Sequence, residues 1–230
     1  MLYPAHISSP LRLSTHAFTC CALLISSALF HVTPSSAFAA PEKTQSALAK
    51  TTTATAFMKL RVAQVLKLAA LPTPNAKVKA KVDAQLLTLI KPMMDFPAMS
   101  QASLGKHWGA RSTAERAQFI ALFEELVFHS YIKKIRSADS TYRVEYEDET
   151  KTASGATVEA VAITSQQEIE LRFELKRHER EGLVLYVAND VVIDEVSLVQ
   201  NYREQFNKII TKDGFGALLK KMERQIAKVK

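Results

Sequence analysis

The chain has 230 residues, of which 47% are hydrophobic, and a formal net charge of +7. Both of its cysteines, Cys20 and Cys21, lie near the start, so the remainder offers neither a disulfide nor a thiolate for metal binding or nucleophilic catalysis. The basic residues are dispersed in runs of two at most, which indicates solvated faces rather than a nucleic-acid-binding stripe.

The start of the chain has the features of an export signal. Arg12 precedes an apolar run at 17–30 that is too short to span a bilayer as a helix. An Ala-Phe-Ala sequence follows, with the small-x-small pattern typical of a signal-peptidase site. We therefore predict a signal peptide at 1–39, a flexible leader at 40–54 and one secreted domain at 55–230, located in the periplasm.

Helical periodicity dominates the first half of this domain. It predicts helices at 55–70 and 76–90, both ended by prolines. The candidate buried positions of the first helix are Phe57, Leu60, Val65 and Leu68. Asp95 is expected to cap a short third helix. Ser112 and Glu115 have the spacing of a capping box at the start of a long fourth helix. The apolar surface of that helix is wider than one buried face, so we expect it to be covered on more than one side.

The hydrophobic period then changes from 3.6 to two, which predicts strands. Four strands are expected, at 142–147, 158–164, 168–175 and 183–193, and their short connections indicate antiparallel hairpins. One register stays open in the hairpin around 165–167. A two-residue loop turns Ala160 and Ala162 towards the core, whereas a three-residue loop turns Val161 and Ile163 inward.

Two amphipathic helices complete the chain, and Asp213 is expected to cap the last one. Helices, then strands, then helices predict an α+β fold. We expect a twisted, antiparallel, four-stranded sheet with helices from both ends of the chain packed on it.

Catalytic motifs are absent from the sequence, which has no nucleophile elbow, zinc-protease helix motif, Walker A loop or dinucleotide-binding glycine pattern. The histidines after residue 39 fall on different predicted elements and do not form a metal-ligand set. The carboxylates Asp190, Asp194 and Glu195 lie at a strand end, where helix caps and solvated groups are more common than acid–base catalysts. We therefore expect no catalysis, no metal and no cofactor.

Two segments carry a family resemblance. One is 94–131, with LGKHW at 104–108 and the capping box after it; the other is 190–206, with VSLVQNYREQF at its end. Together they resemble MlaC-type periplasmic proteins, the toluene-tolerance family of auxiliary components of lipid-transporting ABC systems. This resemblance covers about 55–228. Two departures stand out, because the family usually has glycine where Glu195 stands and tryptophan near Tyr186.

The resemblance implies that the sheet and helices enclose an apolar cavity, in an arrangement similar to NTF2-like folds. It also implies a carrier that holds a phospholipid as cargo and moves it between the membranes, maintaining outer-membrane lipid asymmetry. Its expected partners are an inner-membrane ABC transporter complex with a substrate-binding ring and an outer-membrane lipoprotein complex. We expect a monomer that does not bind nucleic acid. Apolar side chains beyond those needed for a core are candidates for the lipid-binding lining. They are Leu104, Trp108, Phe123, Val127, Tyr131, Val144, Tyr146, Val161, Leu171, Phe173, Val196, Tyr202 and Phe206.

Three other interpretations remain at this point. An NTF2-like enzyme needs a buried acid–base pair, for which Asp190 or Glu145 with a tyrosine are the available groups. A non-catalytic adaptor docks the two membrane complexes and has a filled core. A third interpretation is a carrier of another amphiphile, such as a hopanoid.

Overall fold

The computed structural model describes residues 53–136, 142–180 and 183–229. The predicted signal peptide and all but the last two residues of the predicted leader lie outside these ranges. None of the described helices combines the length and the apolar character needed to cross a bilayer. The described elements belong to one compact unit.

The order of the elements agrees with the α+β prediction, with four helices before the sheet and two after it. The helices are α1 Ala54–Ala69, α2 Ala76–Ile90, α3 Phe96–Leu104, α4 Thr113–Arg136, α5 Leu198–Asp213 and α6 Phe215–Val229. The strands are β1 Arg143–Thr152, β2 Gly155–Ile163, β3 Glu168–Arg180, β4 Leu183–Ile193 and β5 Val196–Ser197.

Local capping signals correctly located two of the helix starts. Asp95 Oδ1 accepts a hydrogen bond from the Ala98 amide at 3.0 Å and caps α3. Ser112 and Glu115 form the predicted reciprocal capping box at the start of α4. The prediction for Asp213 is wrong, because this residue ends α5 and its carboxylate pairs with Lys221 at 2.8 Å.

The sheet is antiparallel, with its strands in chain order from β1 to β5. It has five strands rather than the predicted four, because the two-residue β5 pairs with the end of β4. A strand this short has no alternation that a sequence pattern can reveal. The first strand is also longer than predicted, since a register shift between Tyr146 and Glu149 interrupts its alternation.

The open register of the second hairpin is resolved in favour of the alanines. The Thr164 amide donates to the Gln167 carbonyl at 3.0 Å, which closes a two-residue loop. Ala160 and Ala162 are each 1% exposed, whereas Val161 is half-buried on the opposite side. We call the sheet face that carries Ala160 and Ala162 the inner face, and the face that carries Val161 the outer face.

Two apolar clusters pack against the two halves of α4. The sheet cluster joins α1, α2 and the second half of α4 to the inner face, and it includes Phe57, Phe128 and Tyr186. The helix cluster joins α3, the first half of α4, α5 and α6 around Phe119 and Phe123. This explains the wide apolar surface of α4, because each half is covered by a different set of elements.

A carboxylate of β1 holds the start of α1 on the sheet. Glu149 Oε2 accepts hydrogen bonds from the Thr55 amide at 2.8 Å and from the Thr55 hydroxyl at 2.7 Å. Burial raises the pKa of Glu149, but the hydrogen bonds from Thr55 outweigh this effect and hold the pKa below its ordinary value. The ionised form is therefore favoured in the folded state.

Replacing Glu149 with glutamine is expected to lower the free energy of unfolding by about 1 kcal/mol at pH 7, because it removes a charge-assisted hydrogen bond at a largely solvated site. A carboxyl with a depressed pKa stabilises the fold above its unfolded pKa of about 4.3, and this contribution disappears as the pH falls through the folded pKa. Urea unfolding at pH 7 and pH 3 measures the effect. Glu147→Gln, at an exposed carboxylate of the same strand, is the control. An equal Glu149→Gln deficit at both pH values would contradict the assignment.

Candidate functional site

Most of the predicted lining residues on helices lie together in the helix cluster. Leu104, Phe123, Val127 and Phe206 are buried members. Three partly buried aromatic residues pack against them: Trp108, Tyr131 and Tyr202. The ring centroids of Phe123 and Tyr202 are 5.2 Å apart in an edge-to-face contact. These residues form a packed core where the described side chains fill the space between α3, α4 and α5.

The predicted lining residues on strands fall into different environments. Tyr146 and Phe173 point from the inner face into the sheet cluster. Val144 and Leu171 lie on the same face but belong to neither cluster. The two remaining predicted lining residues on strands lie in other positions. Val161 pairs with Glu145 and Glu170 on the outer face, and Val196 is 43% exposed on β5.

A strip of apolar side chains on the inner face therefore remains outside both packed clusters. We call it the inner-face strip. Its large members are half-buried, and they surround two alanines that are 1% exposed. Because the alanines are short and their neighbours are long, the strip forms a trough across four strands. It comprises Val144, Ala160, Ala162, Ile169, Leu171 and Ile193.

Sequence reasoning included Val144 and Leu171 in the candidate lining and missed the rest of the strip. The alternation that turned Leu171 inward also turned Ile169 inward, so that residue carried the same signal. The alanines could not be recognised from hydrophobicity, because they matter through the space that their small side chains leave between larger neighbours.

An open depression of about 650 Å³ lies mainly on the outer face, where Val161, Arg172 and Val192 share one side of the sheet. Its lining also includes Ala160 and Leu171, and its rim carries charged groups. The charged rim residues are Glu147, Glu159, Glu168, Glu170, Arg172, Asp194 and Glu195. A second open depression of about 450 Å³ lies where Met94 meets β4. Both are open to solvent, so an enclosed cavity stays a prediction.

The tyrosines around these apolar regions favour their neutral form. Burial raises the pKa of Tyr202 to about 12, with a further contribution from nearby Tyr131. Burial also raises the pKa of Tyr146, whose buried hydroxyl has no hydrogen-bond partner among the described residues. Neutral phenols contribute apolar area and a hydroxyl, and none is held ready to accept a proton at neutral pH.

The carboxylates considered for acid–base chemistry have structural surroundings. Asp190 accepts hydrogen bonds from the Ser197 hydroxyl and from the amides of Val191 and Val199, which ties the end of β4 to the start of α5. Glu145 is exposed and paired with Arg143 at 2.8 Å. Neither belongs to an acid–base pair with a tyrosine in the described contacts. The described residues also include no group of three or more side chains that could hold a metal ion.

The corner between β4 and β5 explains why the family pattern has glycine where Glu195 stands. Asp194 and Glu195 have φ values of +47° and +64°, so both central residues of this turn are in the left-handed region. A type I′ turn requires this backbone and favours glycine at its second position. Glu195 therefore occupies a position where a side chain is strained.

Glu195→Gly is expected to raise the free energy of unfolding by about 1 kcal/mol, because glycine relieves the left-handed penalty. Chemical denaturation of the purified protein measures this change. Glu195→Ala is the control, since alanine removes the carboxylate without relieving the backbone, and we expect less than about 0.5 kcal/mol of stabilisation from it. Equal stabilisation by both substitutions would assign the effect to charge.

Comparisons with known proteins agree with this architecture. The family model described as MlaC protein matches residues 62–224. A solved structure of a phospholipid-binding protein from Ralstonia solanacearum, in complex with a phospholipid, has the same fold with a TM-score of 0.63. It is 18% identical to this chain, and the match covers 77% of this chain and 98% of that one. A search of curated proteins gave no match.

Proposed function

Because this chain belongs to the MlaC family, whose model matches most of its length, we propose that it binds a glycerophospholipid by its acyl chains and carries it through the periplasm. The observation that carries this proposal is the inner-face strip, an apolar trough left outside both packed clusters. The fold it shares with a protein solved in complex with a phospholipid supports the same conclusion.

The physical chemistry of acyl chains favours transfer between a bilayer and such a trough. Each buried methylene is stabilised by about 0.8 kcal/mol relative to water, so two chains of about sixteen carbons are stabilised by roughly 25 kcal/mol. A bilayer gives nearly the same stabilisation. Exchange between membrane and protein is therefore close to balanced, and the function of a carrier is to lower the barrier of leaving the membrane through water.

A balanced exchange has no direction of its own. The sequence has no Walker A motif, so it supplies no nucleotide-driven step. We propose that direction comes from an inner-membrane ABC transporter complex with a substrate-binding ring, and that an outer-membrane lipoprotein complex is the other docking partner. In this scheme the protein is a binding protein rather than an enzyme, and it contributes to outer-membrane lipid asymmetry.

Native mass spectrometry of the protein purified from a bacterial periplasm, followed by lipid extraction, tests this proposal. We expect one adduct per chain with the mass of a diacyl phospholipid. An adduct with a hopanoid mass would identify a carrier of another amphiphile. A protein that is isolated bare and takes up no lipid from liposomes would support a non-catalytic adaptor instead.

A further inference from the structure

An arginine interrupts the buried face of α1. Arg61 lies one turn after Phe57 and Met58 and one turn before Val65, and these three residues are buried in the sheet cluster. Positions separated by three or four residues share one face of a helix. The side chain of Arg61 therefore extends from the face that α1 packs against the sheet, where apolar residues are expected.

Two polar side-chain atoms in this part of α1 have no hydrogen-bond partner among the described residues. Arg61 Nε is buried and donates a hydrogen bond to no group among the described residues, and the guanidinium carbon lies 5.7 Å from the centre of the Phe57 ring. Burial lowers the pKa of Arg61. One turn further along, Gln64 Oε1 is also buried without a hydrogen bond. Unpaired buried groups of this kind are costly, so they indicate a missing partner.

The location of Arg61 fits a ligand that extends from the inner face. In the preceding half-turn, Lys59 Nζ lies 5.6 Å from the centre of the Tyr146 ring. Tyr146 pairs with Ala160 of the inner-face strip, so α1 passes beside the strip at Lys59. Arg61, two residues later, projects from the opposite side of the helix, together with Phe57. Arg61 itself is only partly buried. A partly buried arginine whose Nε is covered is expected beside a headgroup at the edge of an apolar site.

We propose that Arg61 binds the phosphate group of the lipid cargo and so selects phospholipids over uncharged diacyl lipids. This inference rests on the proposed function. A planar guanidinium binds a phosphate with two parallel hydrogen bonds, which a lysine ammonium does not reproduce. Gln64, one turn away, adds a neutral donor and acceptor for the polar part of the same headgroup.

The test compares two lipids that differ only in the phosphate group: phosphatidic acid and diacylglycerol with identical acyl chains. Delipidated protein is mixed with each lipid, and the bound fraction is measured by native mass spectrometry. We expect the wild-type protein to prefer phosphatidic acid by about tenfold or more, as a charge-assisted contact provides. Arg61→Gln and Arg61→Met are expected to bind both lipids about equally. Lys67→Gln, which removes an exposed cation from the last turn of the same helix, keeps the preference.

Several results would overturn the assignment of Arg61 to headgroup binding. Some of them leave the proposed carrier function intact, and one overturns it as well. An unchanged preference in both Arg61 variants, or no preference in the wild-type protein, removes Arg61 from headgroup recognition and leaves the carrier function intact. Failure of the wild-type protein to bind either lipid overturns the proposed function together with this inference. Inorganic phosphate that raises the melting temperature of wild type but not of Arg61→Gln, in a protein that shows no preference for phosphatidic acid, would assign the site to free phosphate. Arg61→Met, which places an apolar side chain on the buried face, guards against a folding defect specific to Arg61→Gln.

Discussion

Gly155→Ala is expected to lower the free energy of unfolding by about 3 kcal/mol, the upper end of the range for overpacking. A Cβ atom at this position meets the Leu175 carbonyl oxygen at 1.9 Å and the Leu175 carbonyl carbon at 2.8 Å. Both are backbone atoms of β3, so they move only if β2 and β3 separate. The expected consequence is the loss of pairing at the end of the sheet that holds α1, and a fall of roughly 10 °C in melting temperature.

A second glycine substitution separates this steric effect from the general effect of adding a methyl group. Gly216 lies in the first turn of α6, and a Cβ there has no neighbour within 4 Å. Gly216→Ala is expected to stabilise the protein by about 0.5 kcal/mol, because alanine has the higher helix propensity. Thermal unfolding of the two variants in parallel measures both changes. A similar effect from both substitutions would contradict the close approach of β2 and β3.

Features that depend on neighbouring residues could be predicted from the sequence. Ser112 and Glu115 are three residues apart, and their capping box forms with 2.8 and 3.2 Å hydrogen bonds. Alternation along β3 correctly placed Leu171 and Phe173 on one face. In both cases the signal and the structure extend over the same few residues, so local periodicity and capping chemistry were sufficient.

Features that depend on distant contacts could not be predicted in this way. Glu149 holds Thr55 across 94 residues, and no local pattern indicates that pair. The buried face of α1 includes Met58, Ala54 and Ala69, whereas periodicity favoured Leu60 and Leu68, which remain partly buried. Small alanines let the helix approach the sheet closely, and their low hydrophobicity hides this role. The observed buried face of α1 also includes Arg61, whose Nε is buried there without a hydrogen-bond partner among the described residues.

The location of the candidate lipid site was also only partly predictable. Apolar patterning identified residues beyond those needed for a simple core, but it could not separate packed residues from available ones. Phe123 and Phe206 have the same apolar character as Leu171, yet they fill the helix cluster with ring centroids 5.9 Å apart. Only the packing of the other elements shows that Leu171 belongs to neither cluster.

Leu171→Asp is expected to weaken phospholipid binding at least thirtyfold, or by about 2 kcal/mol of binding free energy. Leu171 pairs with Ala160 and Ile193 at the centre of the inner-face strip. An aspartate there places a short, ionised side chain against the acyl chains, and it is too short to reach solvent along the strip. Lipid phosphorus per mole of purified protein measures the occupancy, and thermal unfolding shows whether the variant is folded.

Val161→Asp provides the matched control, because Val161 is a candidate lining residue that lies on the outer face. It pairs with Glu170 there, so a new carboxylate faces solvent and like charges rather than an acyl chain. We expect less than a twofold change in bound lipid, with a loss of stability of roughly 1 kcal/mol from the added repulsion. Two folded variants with equal lipid content would place the acyl chains away from the strip. A loss confined to Leu171→Asp would locate them on the inner face, because both variants introduce an aspartate at a half-buried position of the sheet, but on opposite faces.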